Sequence, residues 1–265
     1  MAIQLTEFAR RVFEELQRLK LMLFGVMGDD QALNHRLTEG HEKAKTETLA
    51  DLRQRATSFL PSGANPDDFI SYSGENPAEA NAEYSAYLER ALAEMALCRA
   101  VDCYHSYLRQ VVLLILDRDV LLVRRWASAL KITNESKIAA FERGEGRDKL
   151  LIEWFRGKEW KTRELVHEHW RMPLGEDLGV LVKVRNCIVH QLGEDTNSTL
   201  APLLAANSRL GLAVEAGRVV IGYGGADTAI GVVFSDLSII DPCLVRHFSL
   251  PAKPYQQPKL HRSYG

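Results

Sequence analysis

The chain has 265 residues, of which 46% are apolar, and its formal net charge is −2. A chain of this length and apolar content can bury a substantial core, in one larger domain or in two small ones. The charge excludes an overall basic protein that coats nucleic acid by bulk electrostatics, so any contact with RNA has to be local.

The cysteines favour free thiols over a metal site or a disulfide framework, because they form no Cys-x-x-Cys pair and no zinc spacing with the histidines. We expect buried thiols in a reducing cytosol. The N-terminus lacks a basic region followed by an apolar run, and the longest apolar run, Val111 to Leu116, is too short to cross a bilayer. The sequence therefore predicts a cytoplasmic protein with no membrane anchor and no cofactor. The four cysteines are Cys98, Cys103, Cys187 and Cys243.

Residues 1–60 are predicted to form an N-terminal helical extension. Apolar side chains recur at steps of three and four residues from Leu5 to Leu23, and the stretch 25–30 supplies a break. A second helix, from about 31 to 59, carries many charges, as a solvated face usually does. An arm that packs across a partner subunit is the alternative for this helix.

Residues 61–78 are rich in Pro, Gly, Ser and Asn and are predicted to be a linker. A bundle of helices follows over 79–195. Its first helix is predicted from 78 to about 117, with Pro77 at the position where a helix start tolerates proline. Asp102 and His105 lie three residues apart on this helix, and a structural or surface pair is the default interpretation. The functional alternative is that the helix brings a polar group to a site on a later helix.

Four shorter helices are predicted next, over 120–131, 136–141, 148–155 and 162–170. Thr133 and Asn134 are candidate N-caps for the second of them. His167 and His169 could in principle bind a metal, but side chains two residues apart on a helix point about 200° apart. We therefore assign no metal ligand to them.

Residues 176–192 are predicted to form a helix that is buried in the bundle or at an interface, because nearly every residue between its ends is apolar. Glu176 and Asp177 place acid in its first turn, and Gly193 offers a left-handed stop. Arg185 lies about 140° around the axis from His190, with a rise of ~7.5 Å between them. His190 belongs to a narrow polar stripe along the helix, which consists of Gly179, Lys183, Asn186 and His190.

After Gly193 the pattern changes. Residues 210–215 and 218–223, joined by Ala216 and Gly217, predict a small β-hairpin. Thr228 to Phe234 predicts a third strand. A helix from Phe234 to Phe248, interrupted near Pro242, is expected to close the segment 196–250. The tail, 251–265, is predicted to be extended or mobile.

Arg185, Asn186 and His190 form the pattern Arg-Asn, three residues, His, late in a mostly helical chain. The pattern resembles the motif of the HEPN superfamily. In that motif four to six residues separate Arg from His, and a polar residue, often Asn, follows the Arg directly. The resemblance covers roughly residues 79–195. It implies a mainly α fold, a HEPN-like helical bundle, and it implies a homodimer with a shared site, since many members are metal-independent endoribonucleases or toxins that commonly act as dimers.

The side chains of this motif suit RNA cleavage without metal. An imidazole exchanges protons near neutral pH, and a guanidinium forks onto phosphate oxygens. We expect Arg185 and His190 to act on RNA, with Asn186, four residues before His190, orienting the imidazole. One helix separates the two side chains around its axis, so two copies related by a two-fold axis would converge them on one cleft.

The function predicted from the sequence is a metal-independent endoribonuclease, in the setting of a toxin or a phage-defence effector with an antitoxin or regulatory partner. Toxins paired with nucleotidyltransferase antitoxins often carry Tyr two residues after the His; Leu192 stands there, so control by tyrosine modification is not expected. The alternative is a non-catalytic HEPN-like module for protein interaction or nucleotide sensing, in which Arg185 serves a buried ion pair and His190 the helix dipole.

Overall fold

The computed structural model describes residues 3–27, 50, 54, 77–155, 164–165 and 175–255. The fold is mainly α-helical with a small antiparallel hairpin near its C-terminal end, as the sequence predicts. In chain order the elements are β1 (Ile3–Leu5), α1 (Glu7–Met27), α2 (Pro77–Arg118), α3 (Leu121–Ala129), α4 (Glu135–Glu142), α5 (Arg147–Phe155), α6 (Glu176–Gln191), α7 (Leu200–Ala206), β2 (Leu212–Glu215), β3 (Arg218–Ile221), α8 (Tyr223–Phe248) and β4 (Lys253–Tyr255).

The chain divides into two compact units, and the division falls within α1 and α2. The larger unit takes residues 1–21 and 93–265, and the smaller takes 22–92. The larger unit thus draws on the N-terminal extension, the bundle and the C-terminal elements that the sequence predicts. Within the smaller unit the structure describes residues 22–27, 50, 54 and 77–92.

The long helix α8 is the core helix of the larger unit and contacts β1, α6 and β3. The prediction of a third strand over 228–234 was wrong, since these residues lie within α8. They are apolar enough to suit either a buried strand or a buried helix, and a short apolar run does not separate the two. The buried side chains instead recur every three or four residues, which decides for the helix. The buried side chains of α8 include Ala226, Ala229, Ile230, Val233, Leu237, Ile240 and Leu244.

The predicted interruption near Pro242 was also wrong, because α8 continues through this residue to Phe248. Proline removes only one backbone donor, and the buried stripe of α8 continues on both sides of it through Ile240, Asp241 and Leu244, which holds the helix together. Of the helices that the structure describes, α8 alone is long and apolar enough to span a membrane. Asp241 within it is completely buried in the protein.

The two ends of the larger unit are joined by a short antiparallel pair, β1 with β4. Leu5, predicted as part of the first helix, lies in β1, and the helix begins after Thr6, whose hydroxyl accepts a hydrogen bond from Ala9 N–H at 3.2 Å. The predicted tail is extended over 253–255, where it pairs with residues 3–5. Phe13 stacks on Phe234 at 4.2 Å and so fixes α1 against α8.

The helices of the bundle follow their predicted limits closely. The helix α2 covers the predicted 78–117, and α3, α4 and α5 match three of the four shorter helices. Asn134 caps α4, since its side chain accepts from Lys137 N–H at 3.1 Å. The predicted helices over 31–59 and 162–170, the linker over 61–78, and His167 and His169 lie outside the described residues, apart from 50, 54, 77–78 and 164–165. Residues 77 and 78 of the predicted linker begin α2.

The predicted hairpin is present as β2 and β3, with Ala216 and Gly217 in left-handed backbone conformations at its turn. A short helix that the sequence did not indicate, α7, precedes it. Its first turn is held by Asp195, whose buried carboxylate accepts from the N–H groups of Thr199, Leu200 and Ala201 at 2.9–3.1 Å. Because this acceptor stands four residues or more before the groups it caps, the usual N-cap spacing did not indicate the helix.

Candidate functional site

The motif lies on α6, which runs from Glu176 to Gln191 with an acidic first turn, as predicted. Its end combines two left-handed residues, Leu192 at φ 53° and Gly193 at φ 80°. The N–H of Gly193 donates to Cys187 O at 3.1 Å, which satisfies a carbonyl at the helix end. The prediction of a stop at Gly193 is confirmed, and the left-handed conformation begins one residue earlier.

Arg185 contacts α2 through an ion pair with Asp102. Its Nε donates a hydrogen bond to Asp102 Oδ1 at 3.0 Å, and its Nη2 lies 2.8 Å from the same oxygen in the ion pair. The Arg185 side chain is 20% exposed and that of Asp102 is 44% exposed, so the pair lies at the boundary between core and solvent. The polar group that the sequence suggested α2 would bring to the motif helix is therefore Asp102.

Asn186 completes the environment of the guanidinium. Its Oδ1 accepts from Arg185 Nη1 at 3.2 Å. Each terminal nitrogen of a guanidinium carries two N–H groups, so Nη1 and Nη2 each keep one donor beyond these contacts. The contact expected between Asn186 and His190 is not among the hydrogen bonds of the described residues, and Asn186 instead orients the arginine.

His190 is exposed in the last turn of α6, on the same stripe as Lys183 and Asn186. The stripe is solvent-facing, while the opposite side of the helix is buried. His105, by contrast, is buried on α2 and does not share the half-exposed position of Asp102. The structure thus brings Asp102, Arg185 and Asn186 together, and His190 stands apart from them around the helix axis.

The side of α6 that carries Arg185 changes from buried to exposed along its length. Leu178 and Val182, seven and three residues before Arg185, are buried. Val189, four residues after it, is 45% exposed, and Leu192, at the end of the helix, is 79% exposed. Apolar side chains therefore continue beyond Arg185 into solvent, where the protein's own core no longer covers them.

Burial raises the pKa of the thiols near the motif. Burial, together with the Asp102 carboxylate, raises the pKa of Cys98 to about 11, so this thiol is protonated at neutral pH. Burial also raises the pKa of Cys187, whose thiol donates to Glu194 O at 3.2 Å. The expectation of buried thiols was wrong for Cys243, which is exposed on α8 because its position falls on the outer side of that helix.

The β-hairpin is joined to the end of the motif helix. Val219 N–H donates to Gly193 O and Asp195 N–H donates to Gly217 O, both at 2.8 Å. The Arg218 guanidinium donates through Nη2 to Leu192 O at 3.0 Å. Sequence reasoning treated Arg218 only as a strand residue, since no local pattern relates it to a helix that ends 27 positions earlier.

Among the described residues, no three or more His, Cys, Asp or Glu side chains are grouped so that they could hold a metal ion. The site therefore consists of one half-buried arginine held by a carboxylate and an amide, one exposed histidine, and an adjoining hairpin. Comparison of the chain with family models, curated proteins and solved structures found no match. Membership of the HEPN superfamily stays a prediction based on Arg185, Asn186 and His190.

Proposed function

We propose that this protein is a metal-independent endoribonuclease. The observation that carries the proposal is the Arg185 guanidinium, held at the surface by Asp102 Oδ1 at 2.8 and 3.0 Å, on the same helix as the exposed His190. A fixed guanidinium with free N–H donors binds phosphate oxygens in a defined orientation. An imidazole within reach of the reacting oxygens can serve as a general acid or base.

The proposed reaction is attack of a 2′-hydroxyl on the neighbouring phosphorus. An imidazole removes the proton from the 2′-oxygen as the new O–P bond forms, and the bond to the 5′-oxygen breaks. That oxygen receives a proton, and the products end in a 2′,3′-cyclic phosphate and a 5′-hydroxyl. Arg185 neutralises the charge that develops on the non-bridging oxygens of the phosphate.

A second copy of the chain supplies the other half of this site in our proposal. Arg185 and His190 are about 140° apart on one helix, so one copy cannot direct both at one phosphate. Val189 and Leu192 offer exposed apolar surface on the Arg185 side of α6. A two-fold contact through this surface would bring the histidine of one copy towards the arginine of the other.

The second candidate function is a non-catalytic interaction module. The observation that favours it is the same ion pair. An arginine that is 20% exposed and paired with a carboxylate is equally suited to joining two helices of the fold. In that case the exposed Val189 and Leu192 bind a regulatory protein, such as an antitoxin. A nucleotide sensor would use the same guanidinium to hold phosphate without cleaving it.

The test is incubation of the purified protein with structured and unstructured RNA in the presence of chelator. We expect cleavage that ends in 2′,3′-cyclic phosphate, and losses of about 10²-fold or more in both Arg185→Ala and His190→Ala. Asn186→Ala should cost less, because Asp102 still holds the guanidinium. Arg209→Ala and His247→Ala are matched controls that remove the same residue types elsewhere and should retain activity.

Each negative result has a distinct meaning. Cleavage that survives both Arg185→Ala and His190→Ala, or that requires a divalent metal, overturns the proposal. Wild-type protein that leaves all RNA intact but is stabilised against heat by nucleotides supports the sensor. Loss of folding in Arg185→Ala with an inactive wild type supports the interaction module.

A further inference from the structure

The exposed stripe of α6 carries a lysine besides His190. Lys183 lies seven residues before His190, which places it on the same side of the helix with a rise of about 10.5 Å between the two residues. Both side chains are exposed, as is Asn186 between them. The stripe is therefore an open polar track along the helix axis.

Arg218 adds a cation at the C-terminal end of this helix. The hydrogen bonds from Val219 to Gly193 and from Asp195 to Gly217 fix the hairpin against the terminus of α6. The bond from Arg218 Nη2 to Leu192 O, at 3.0 Å, then places the guanidinium at that terminus. Leu192 follows His190 by two residues, so Arg218 stands at the His190 end of the track.

Both of these cations are available to a ligand. Neither Lys183 nor Arg218 has a carboxylate within ion-pair distance among the residues that the structure describes, although Glu194 and Glu215 are the strand neighbours of Arg218. Arg209 shows the opposite case, since its guanidinium is occupied by Asp177 through contacts of 2.6–3.2 Å. Arg218 donates one N–H to the carbonyl of Leu192, and no carboxylate among the described residues neutralises its guanidinium.

We propose that Lys183 and Arg218 bind the phosphates on either side of the one that reacts at His190, and that the ligand is single-stranded RNA. The proposal rests on the endoribonuclease function above. A strand laid along the stripe meets Lys183, His190 and Arg218 in order. Attack by a 2′-hydroxyl needs that oxygen in line with the departing 5′-oxygen, which a flexible single strand permits and an A-form duplex restrains.

The test measures binding of a fluorescein-labelled oligouridine by anisotropy at several salt concentrations, in the His190→Ala background so that the RNA stays intact. Lys183→Gln and Arg218→Gln should each weaken binding about fivefold. Each should also reduce the slope of log K against log salt by about 0.7, as expected for one phosphate contact on a single strand. Glutamine at 218 keeps an amide donor for Leu192 O, and the thermal unfolding midpoint checks that the fold is retained.

Arg209→Gln is the matched control and should leave both affinity and slope unchanged, because Asp177 already neutralises Arg209. The proposal is overturned if the salt slopes of Lys183→Gln and Arg218→Gln equal that of the His190→Ala protein alone. It is also overturned if Arg209→Gln weakens RNA binding by a similar factor. A duplex of the same length that binds as tightly as the single strand overturns the choice of ligand. If either variant loses its fold, the other one alone decides the result.

The outcomes also separate this inference from the proposed function. Cleavage by the wild type with unchanged binding slopes means that the nuclease proposal stands and the track does not. Binding with reduced slopes and no cleavage by the wild type means the reverse. Absence of both binding and cleavage overturns the two together.

Discussion

The Arg185–Asp102 contact defines the candidate site at the scale of single residues. The Asp102 carboxylate accepts a hydrogen bond from Nε and lies in ion-pair contact with Nη2, while Asn186 Oδ1 accepts from Nη1, so the guanidinium is held on two edges. Because the Arg185 side chain is already ordered, it loses less conformational entropy when it binds a phosphate. Asp102 is therefore a positioning residue in the proposed reaction, since it acts through Arg185.

Asp102→Ala should lower RNA cleavage by roughly 10–100-fold while RNA binding changes less, because the guanidinium loses its orientation and keeps its charge. Asp102→Asn retains an oxygen acceptor and should recover part of the loss. Steady-state kinetics that separate kcat from KM make the comparison. Glu142→Ala, which removes a carboxylate partner of Arg124, is the control. A change in KM alone would contradict the positioning role.

At the scale of elements, the hairpin acts as a clamp on the end of α6. Three hydrogen bonds join residues 192–195 to residues 217–219. The turn itself depends on glycine, because Gly217 has φ 78° and a side chain there strains the backbone. The clamp therefore links a two-residue turn to the position of His190.

Gly217→Ala and Gly231→Ala make the same chemical change in two backbone environments. Neither added Cβ meets an atom within 4 Å, so only the backbone decides the effect. We expect Gly217→Ala to lower the free energy of unfolding by roughly 1–2 kcal/mol. Gly231→Ala, inside α8, should be neutral or raise that free energy by up to about 1 kcal/mol. Urea denaturation measures both, and shifts of the same sign would contradict this account.

At the scale of the whole molecule, the exposed end of α6 bears on assembly. Leu192→Asp should convert a micromolar dimer into a monomer, because it places a charge on the apolar surface beside Arg185. Aspartate tolerates the left-handed conformation of this residue, so the fold is kept. Leu121→Asp, at a leucine that is 89% exposed on α3, is the control and should remain dimeric. Light scattering that finds the wild type strictly monomeric, with full activity, would overturn the shared site.

Asp241 joins the N-terminal segment to the core of the larger unit. Its carboxylate accepts from Thr6 N–H, the Thr6 hydroxyl and the Tyr107 hydroxyl at 2.7–2.8 Å, and it is completely buried. Burial raises the pKa of Asp241 above its ordinary value of 3.8, and outweighs the three hydrogen bonds that lower it. The ionised form is therefore less favourable in the folded protein than in the unfolded chain.

This shift makes stability depend on pH. The contribution of Asp241 is full below the ordinary pKa and is lost as pH rises through the raised pKa of the folded state. Asp241→Asn cannot ionise, so the unfolding free energy of the wild type relative to this variant should fall as pH rises above about 4. Urea denaturation of both proteins at a series of pH values makes the measurement. A difference that grows with pH would contradict the assigned direction.

The sequence alone was sufficient wherever a structural feature depends on neighbouring residues. A stripe of apolar residues predicted α2, and terminal signals around a nearly continuous apolar stretch predicted α6. Asn134 predicted the start of α4, and the Ala216–Gly217 turn predicted the hairpin. The same local reasoning placed Arg185, Asn186 and His190 on one helix, whereas their grouping as a motif rests on the resemblance to the HEPN superfamily. These features follow from helix period, capping and turn conformation, each of which is written within a few positions of the chain.

Only the tertiary structure decided the features that join distant positions. Residues 228–234 are helical because burial of Ala229, Ile230 and Val233 on one stripe selects one of two conformations that their apolar composition allows. Thr6 meets Asp241 across 235 positions, and Asp102 meets Arg185 across 83. Arg218 reaches the end of α6 through pairing of the hairpin with residues 193–195. Contacts of this kind depend on how the elements pack. Periodicity along the chain predicts which face of a helix is buried, but it does not predict which other element that face contacts.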